Sequence, residues 1–151
     1  GNTSILCDAS NKETVENLNL NLKKRDFFQP LAPIILEEDF NNYFLVNKNV
    51  YKNLEWMGTI CEAKQELYNK YKPVIHVDGT CRTQIIKDNN LLVYKILKYL
   101  KKFNCSILVN TSFNISKDPT VFDLFDVYVN MKRMNIKFVL MDDGFYETKD
   151  L

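Results

Sequence analysis

The stretch Val109-Asn110-Thr111-Ser112-Phe113-Asn114-Ile115-Ser116-Lys117-Asp118-Pro119 most restricts the fold and the function of this sequence. It continues the apolar run Ser106-Ile107-Leu108, and small polar side chains crowd its first half. This pattern predicts a buried strand, residues 106–110, that opens into a polar loop. In an open α/β sheet such a loop lies at the carboxyl end of a strand, where ligands bind. Its hydroxyls, amides and free N–H groups can hold phosphate or carboxylate oxygens. The alternative is an Asx/Ser turn that only caps the strand.

The motif Asn110-Thr111-Ser112-Phe113-Asn114, followed by Asp118-Pro119, resembles the signature of one family of carbamoyltransferase domains. That family is the carboxy-terminal domain of carbamoyltransferases of the nodulation protein U and antibiotic O-carbamoyltransferase type. Other segments agree with it in the same order: Gly1-Asn2-Thr3-Ser4-Ile5-Leu6, Lys23-Lys24-Arg25-Asp26-Phe27-Phe28-Gln29-Pro30-Leu31-Ala32-Pro33 and His76-Val77-Asp78-Gly79-Thr80-Cys81-Arg82-Thr83-Gln84. The resemblance implies a YrdC-like fold whose relatives activate a carbamoyl or carbamate group with ATP as an acyl-adenylate.

The resemblance also implies a catalytic set of residues. The basic motif that precedes the aromatic and proline segment maps to Lys23 and Arg25, and the S-x-N motif of YrdC-like domains maps to Ser112 and Asn114. For Ser112 and Asn114 to face one ligand, we expect the backbone to turn at Phe113, with the Phe113 side chain anchored in the core. Forming carbamoyladenylate brings two anionic species together, so fixed cations and aligned donors lower the barrier. Arginine suits phosphate and carbamate forks, and lysine suits phosphate as a point charge. We therefore expect ATP, carbamoyl phosphate and Mg²⁺ at this site.

The predicted binding set is larger than the catalytic set. Arg82 stands at the arginine of the family's D-G-T-x-R segment, and Asn110 and Thr111 complete the loop, where we expect them to shape it rather than touch phosphate. Two positions depart from the family pattern: an arginine is usual where this sequence has Gln29 and where it has Thr3. The site therefore has fewer cations for a triphosphate than the family pattern provides.

Length and composition predict one globular domain. The 151 residues are 46% hydrophobic and 26% charged, enough to bury a core. Lysine and arginine number 20 against 19 acidic residues, which argues against a nucleic-acid coat or a polybasic membrane surface. No apolar run reaches the length of a membrane span. Basic and aromatic residues do not interleave as RNA-stacking platforms require, which argues against an RNA-binding domain.

The cysteines and the single histidine predict neither a zinc site nor disulfides. The cysteines are widely spaced, and no apolar signal segment precedes them, so we expect reduced thiols in a cytoplasmic protein. His76, which enters a turn, is expected to be a hydrogen-bonded structural residue rather than a base. The carboxylates Glu37-Glu38-Asp39 are expected at a solvated helix start, with Mg²⁺ binding as the alternative.

The sequence starts within a family motif and lacks an initiator methionine, so we expect residues 1–151 to be a carboxy-terminal fragment. In the family, the acceptor site belongs to an amino-terminal domain that resembles the actin-like ATPase fold. The predicted function is therefore a carbamoyltransferase domain that supplies carbamoyladenylate to that partner domain. A non-catalytic nucleotide-binding or anion-binding module that regulates the partner domain is the alternative. The final carbamoyl acceptor is not identified.

Periodic apolar residues predict helices at residues 11–22, about 62–71, 90–103 and after Asp123, which caps the last of them. Ser10 and Glu13 are predicted to form a capping box for the first helix. The 90–103 helix is the clearest, and its apolar stripe is expected to pack on the core.

Strand-like runs are predicted at residues 34–36, 54–61, 73–77, 82–86, 106–110, 120–122 and 137–141. The 73–77 and 82–86 runs are expected to pair as a hairpin through the turn Asp78-Gly79-Thr80. Residues 46–53 are expected to form a flexible loop or lid. These elements together predict an α/β or α+β domain around a twisted mixed sheet.

Overall fold

A computed structural model of the chain describes residues 3–26 and 28–150. Its strands are β1 (Ser4–Asp8), β2 (Ala32–Leu36), β3 (Phe44–Leu45), β4 (Cys61–Ala63), β5 (Thr80–Cys81), β6 (Gln84–Ile86), β7 (Ile107–Ser112), β8 (Phe138–Met141) and β9 (Gly144–Glu147). Its α-helices are α1 (Lys12–Glu16), α2 (Glu37–Tyr43), α3 (Gln65–Tyr71), α4 (Leu92–Leu100) and α5 (Leu124–Met134). Other helical segments are a π-helix (Asn17–Leu22) and 3₁₀-helices (Lys48–Trp56, Lys72–Val74, Lys101–Phe103, Thr148–Asp150). Within the described ranges, every helix is too short or too polar to cross a bilayer.

The central sheet determines which parts of the chain meet. Its strand order is β1-β7-β2-β6, and β7 runs antiparallel to β1 and β2, whereas β2 and β6 are parallel. The strands β1, β2 and β6 therefore all begin at the edge where β7 ends, which we call the upper edge. In the register, Ser4 lies opposite Ser112 and Ala32 lies opposite Asn110. The segments that precede three strands thus meet the segment that follows the fourth.

Both faces of the sheet are covered, which explains why β2 is apolar and buried along its whole length. One face packs into the larger core, together with side chains of α1, α2, α3 and α5 such as Phe40, Leu67 and Met131. The other face carries a smaller core in which Leu97 of α4 packs on Ile34 and Leu108. The predicted packing of the 90–103 helix on the core is confirmed, since α4 and the 3₁₀-helix after it occupy those residues.

The mixed α/β fold class is confirmed, and so are several local features. Asp123 caps α5, because its carboxylate accepts a hydrogen bond of 2.8 Å from the amide of Asp126. The turn at Asp78-Gly79-Thr80 forms, with Gly79 at a φ of 82° that favours glycine. All four cysteines lie in the described residues and are unpaired.

Helical structure covers the predicted residues of the first helix, but its cap and its second half differ from the prediction. Asn11, not Ser10, is the cap, and its side chain accepts from the amide of Thr14 at 3.0 Å. The Ser10 hydroxyl instead donates to Asp8, so the predicted capping box with Glu13 was wrong. After Glu16 the helix widens into the π-helix.

Three predictions about the middle of the chain were also wrong. Residues 46–53 belong mostly to a 3₁₀-helix rather than a loop, and residues 54–60 do not form a strand. The 73–77 run is largely a 3₁₀-helix and a turn, so the hairpin does not form. Instead β5 pairs with β4, and β6 pairs with β2. Residues 120–122 do not form a strand either.

The strand before the signature motif is longer than predicted. β7 extends to Ser112, so Asn110, Thr111 and Ser112 are strand residues and the loop starts at Phe113. Gly1 and Asn2 of the first family segment, and Phe27 of the aromatic segment, lie outside the described residues.

Candidate functional site

Lys23 is buried at the upper edge, where it contacts the end of β7. Its side chain is 4% exposed, and its Nζ lies 2.7 Å from the carbonyl oxygen of Ser112 and 2.8 Å from that of Asn114. The Asn114 Oδ1 lies at 2.5 Å from Nζ and the Ser112 Oγ at 3.1 Å. An ammonium has three N–H donors, so these four oxygens engage all of them. Lys23 therefore links the end of its helix to Ser112 and Asn114, which lie 89 and 91 positions later in the chain.

The backbone turns at Phe113, as the S-x-N motif predicts. The amide of Asn114 donates to the carbonyl of Ser112 at 3.1 Å, and the Ser112 hydroxyl donates to Asn114 Oδ1 at 2.7 Å. Phe113 is buried in the larger core and anchors the turn, since its amide donates to Thr3 and its carbonyl accepts from Val121. The hydroxyl and the amide oxygen thus face the same ammonium. The prediction of a turn with a buried Phe113 is confirmed.

The local backbone explains why only part of the basic cluster enters the site. Lys23 ends the π-helix, and its amide donates to the carbonyl of Leu18 at 2.9 Å. Lys24 has a φ of 47°, in the left-handed region, and its side chain is exposed. The chain therefore reverses direction at Lys24, and Arg25 returns toward the sheet. The Arg25 Nη2 lies 3.5 Å from the Thr111 Oγ1, a long hydrogen bond.

Arg82 reaches the same edge from another element. It lies between β5 and β6, and burial alternates from Cys81 to Ile85, so its side chain is on the exposed side. The parallel register pairs Gln84 with Ile34, so two residues earlier Arg82 is level with Ala32 and hence with Asn110. The charge of Arg82 contributes, after burial, to a lowered pKa of Arg25.

The pKa shifts show that these cations are neighbours. The pKa of Lys23 is lowered to about 8, first by burial and then by the charge of Arg25. Burial also lowers the pKa of Arg25, and the charge of Arg82 is the second cause. Within the part of the chain that the structure describes, no carboxylate forms an ion pair with Lys23, Arg25 or Arg82. Three like charges therefore share one edge without a carboxylate counterion among the described residues.

Asn110 and Thr111 lie in the strand just before the turn. Thr111 is buried and accepts the long hydrogen bond from Arg25. Asn110 faces the other side of the sheet, and its Oδ1 is buried without a hydrogen-bond partner among the described residues. Thr111 thus helps to position Arg25, whereas the Oδ1 of Asn110 has no hydrogen bond among the described residues.

His76 has the structural hydrogen bond predicted for it. Its Nδ1 lies 2.9 Å from the Thr80 Oγ1, which in turn donates to the Asp78 carboxylate at 2.8 Å. Because the carboxylate can only accept, the Thr80 hydrogen is used there and Nδ1 must carry its own hydrogen. The hydrogen bond from Thr80 lowers the pKa of Asp78. These contacts brace the turn that leads to Arg82.

The acidic cluster that opens α2 forms ion pairs with lysines. Glu38 contacts Lys98 and Lys101 at 2.8 and 3.0 Å, and Asp39 contacts Lys101 at 2.6 Å. More generally, the described residues contain no group of three or more histidine, cysteine, aspartate or glutamate side chains placed to hold a metal ion.

One buried polar residue of this region, Asn19, was not among the predicted site residues. Asn19 is buried in the π-helix, and its Nδ2 donates to the carbonyl of Gln29 at 3.0 Å. The run Asn17-Leu18-Asn19-Leu20-Asn21-Leu22 reads as alternation, which is not typical of a helix. The sequence therefore gives no signal that Asn19 faces inward.

Comparison with known proteins places these features in a family context. The model of a family described as the carbamoyltransferase C-terminus matches residues 1–148. The nodulation protein NolNO of Sinorhizobium fredii is 33% identical over 83% of this chain, and NolO of Bradyrhizobium diazoefficiens is 34% identical over 83%. The 3'-hydroxymethylcephem-O-carbamoyltransferase of Amycolatopsis lactamdurans is 23% identical over 97%. The chain spans 19%, 23% and 27% of the lengths of these proteins, respectively.

The fold has a solved counterpart. A crystal structure of full-length HypF in its phosphate- and nucleotide-bound form superposes with a TM-score of 0.67. The superposition covers 87% of this chain and 17% of HypF, at 20% sequence identity. At this identity the likeness establishes the fold.

Proposed function

Since the chain belongs to the carbamoyltransferase C-terminus family, we propose that it binds ATP and carbamoyl phosphate and forms carbamoyladenylate. The chain spans 19–27% of the length of the curated relatives described above. The proposal therefore assigns transfer of the carbamoyl group to an acceptor to an amino-terminal domain of actin-like fold in the full-length protein. It places the reaction in the cytoplasm, a compartment in which unpaired cysteines persist.

The observation that carries the proposal is the cluster of cations at the upper edge. Lys23 and Arg25 come from one segment and Arg82 comes from another. Besides burial, which is the first cause in both cases, the charge of Arg82 lowers the pKa of Arg25 and the charge of Arg25 lowers the pKa of Lys23. Gathering like charges costs stability unless an anion neutralises them. A polyphosphate or an acyl phosphate is such an anion, and arginine forks match its oxygens.

The residues divide the work as follows. Arg25 and Arg82 have guanidinium groups that are not paired with a carboxylate in the described structure, so they are assigned to phosphate and carbamate oxygens. Lys23 has all its donors engaged by protein oxygens, so it acts through its charge and by fixing the turn from Ser112 to Asn114. The Ser112 hydroxyl, which is exposed, can turn from Asn114 to a ligand oxygen.

The proposed reaction has two steps. Water first releases phosphate from carbamoyl phosphate and leaves carbamate. A carbamate oxygen then attacks the α-phosphorus of ATP, the bond from that phosphorus to the bridging oxygen breaks, and pyrophosphate leaves. Fixed cations lower the repulsion between carbamate and the triphosphate and stabilise the charge that develops on pyrophosphate.

Mg²⁺ enters the proposal as a companion of the nucleotide. The described residues provide no cluster of ligands for a metal ion. Mg²⁺ commonly binds to substrate phosphates and waters with few protein ligands. When bound, it would neutralise part of the triphosphate charge, and no role of a protein residue above depends on it.

Exchange of labelled pyrophosphate into ATP, in the presence of carbamoyl phosphate, tests the proposal on the 151-residue chain. The wild type should catalyse exchange, and Arg82→Ala should slow it by about tenfold or more, because one charge-assisted contact is lost. Lys102→Ala is the matched control, since Lys102 is an exposed lysine after α4, and it should leave exchange unchanged.

A second function is favoured by one specific observation. The hydrogens of Lys23 are all used within the protein, and Gln29 and Thr3 stand where the family has arginines. Such a site suits a module that binds a nucleotide or anion to regulate its partner domain. ATP binding without pyrophosphate exchange would support this module and reject adenylate formation.

A further inference from the structure

Asn19, a buried asparagine, forms hydrogen bonds with the Arg25 amide and with the Gln29 carbonyl, at the two ends of the segment that carries Arg25. The carbonyl of Asn19 accepts a hydrogen bond of 3.1 Å from the amide of Arg25, and its Nδ2 donates to the carbonyl of Gln29 at 3.0 Å. Asn19 is 8% exposed. One residue therefore fixes where the segment leaves the π-helix and where it approaches β2.

The orientation of the Asn19 amide is set by its partner. A carbonyl such as that of Gln29 can only accept, so the NH₂ group must face it and Oδ1 must face away. The Oδ1 is then buried without a partner among the described residues. A buried acceptor without a partner costs stability, so the fold retains Asn19 at a cost. The hydrogen bond to the Gln29 carbonyl is the interaction that Asn19 makes in return.

Much of the segment lies at the surface. After Lys23, the described residues Lys24, Asp26 and Gln29 are exposed, the amide of Gln29 donates locally to the carbonyl of Asp26 at 3.0 Å, and burial resumes at Leu31. The link from Arg25 to Thr111 is long, at 3.5 Å. Without the contact from Asn19 to Gln29, this segment would sample more positions, and so would the guanidinium of Arg25.

The neighbouring asparagines differ from Asn19 although they share its helix. Asn17 and Asn21 are exposed, and the Nδ2 of Asn21 donates to the Oδ1 of Asn17 at 2.8 Å. Their contact stays on the helix surface and holds no other segment. The same residue type thus provides a control at an offset of two positions.

We propose that Asn19 is a positioning residue of the upper edge, which acts on an anionic ligand through Arg25. The inference rests on the proposed function for the identity of the ligand, and it assigns to Asn19 the preorganisation of one arginine. A group held in its bound position before the ligand arrives avoids an ordering cost on binding. Removing the restraint should therefore weaken binding without removing any group that contacts the ligand.

A double-mutant cycle with inorganic pyrophosphate and with ATP tests the inference, with affinities from titration calorimetry. Asn19→Ala should weaken binding by roughly fivefold to tenfold in the wild-type background, the range expected for one disordered side chain. In the Arg25→Ala background, Asn19→Ala should have no further effect, because its target is gone. Asn21→Ala should bind as the wild type does.

Other outcomes overturn the inference. An equal loss from Asn19→Ala in both backgrounds would mean that Asn19 acts on the fold generally, and a wild-type chain that binds neither probe would leave no site to position. If Asn19→Ala does not fold, Asn19→Asp replaces it, because it keeps the size and loses the donor to Gln29. Hydrogen exchange should then show faster exchange in residues 24–29 alone, and unchanged exchange there would overturn the inference.

Failure of the proposed function would look different. Pyrophosphate and ATP binding reports the anion site itself, whereas pyrophosphate exchange reports adenylate formation. A chain that binds both probes with the expected coupling, but shows no exchange, would retain the role of Asn19 and lose the carbamoyladenylate reaction.

Discussion

Two groups of cations in this molecule have the same chemistry and opposite environments. Where α2 meets α4, Lys98 and Lys101 form ion pairs with Glu38, and Lys101 also pairs with Asp39. Hydrogen bonds to these carboxylates raise the pKa of both lysines. At the upper edge, burial and like charges lower the pKa of Lys23 and Arg25.

From this contrast we infer that the paired charges stabilise the fold and that the charges of the upper edge bind an anion. A paired lysine gains by keeping its proton, and its charge is balanced within the protein. At the upper edge, burial and the charge of Arg25 disfavour the charged form of Lys23, and the proposed anion would offset this effect. A perturbed pKa at a polar edge is thus a functional signal, because the direction of the shift separates the two groups.

The largest expected effect on anion affinity comes from Lys23→Met. It removes the charge and the donor that holds Ser112 and Asn114 in one turn, so pyrophosphate and ATP should bind on the order of a hundredfold more weakly or worse. Titration calorimetry measures this. Lys98→Met, from the paired group, is the matched control and should leave affinity unchanged. Equal losses from both substitutions would show that only net charge matters.

Ser112→Ala tests the same turn with a smaller change. One hydrogen bond to a charged ligand is lost, on the order of 1.5–3 kcal/mol, which weakens binding by roughly ten- to a hundredfold. Because Ser112 is exposed, the melting curve should scarcely change. Calorimetry and thermal unfolding of both proteins decide the matter. Equal affinities with an unchanged melting curve would mean that this loop is structural.

How far the sequence predicted this site depends on which contacts are local. The turn at Phe113, the cap at Asp123 and the α4 stripe were predictable, because their signals lie within a few residues. The hairpin predicted for residues 73–86 failed because β6 pairs with β2, a partner about fifty positions earlier. Local pattern contains no information on that pairing.

The convergence of the cations was expected from the family resemblance, and its cause became visible only in the sheet. Lys23 and Arg25 precede β2, Arg82 precedes β6, and Ser112 ends β7. They meet because β2 and β6 are parallel and β7 opposes them. The burial of Lys23 and of Asn19 was not predictable, because a charged residue and an amide in a polar run are usually exposed to solvent.

As the pH is raised, Lys23 should lose its proton before the lysines that are paired with carboxylates. The pKa of Lys23 in the folded chain is about 8, below its ordinary value of 10.5, so Lys23 loses its proton while Lys98 and Lys101 keep theirs. Anion affinity should fall as pH rises above 8, toward tenfold per pH unit if binding requires the ammonium. Pyrophosphate titrations between pH 7 and pH 9, roughly one unit on either side of the Lys23 value, measure it.

The stability of the ligand-free chain should change in the opposite direction. A lowered pKa means that the unfolded chain binds more protons than the folded chain between about pH 8 and the ordinary lysine value. The free energy of unfolding contributed by Lys23 therefore rises with pH across that window. Urea unfolding at several pH values, with Lys23→Met as the reference, isolates this contribution. A flat difference between the two proteins would contradict the lowered pKa.

The smallest effect is expected from Glu38→Gln, which removes the carboxylate that both lysines of the paired group share. Glu38 is exposed, and exposed ion pairs contribute at most about 1 kcal/mol. Urea unfolding at low salt should show a loss within that limit, and the loss should shrink as salt is added. Hydrogen bonds from Lys98 and then Lys101 lower the pKa of Glu38, so its contribution is present above its unfolded pKa and disappears as pH falls through the folded value. Pyrophosphate affinity should stay at the wild-type value, because the upper edge receives no charge from this pair. A clear change in affinity would mean that the two groups of cations are coupled, and that the contrast between them does not separate structure from ligand binding.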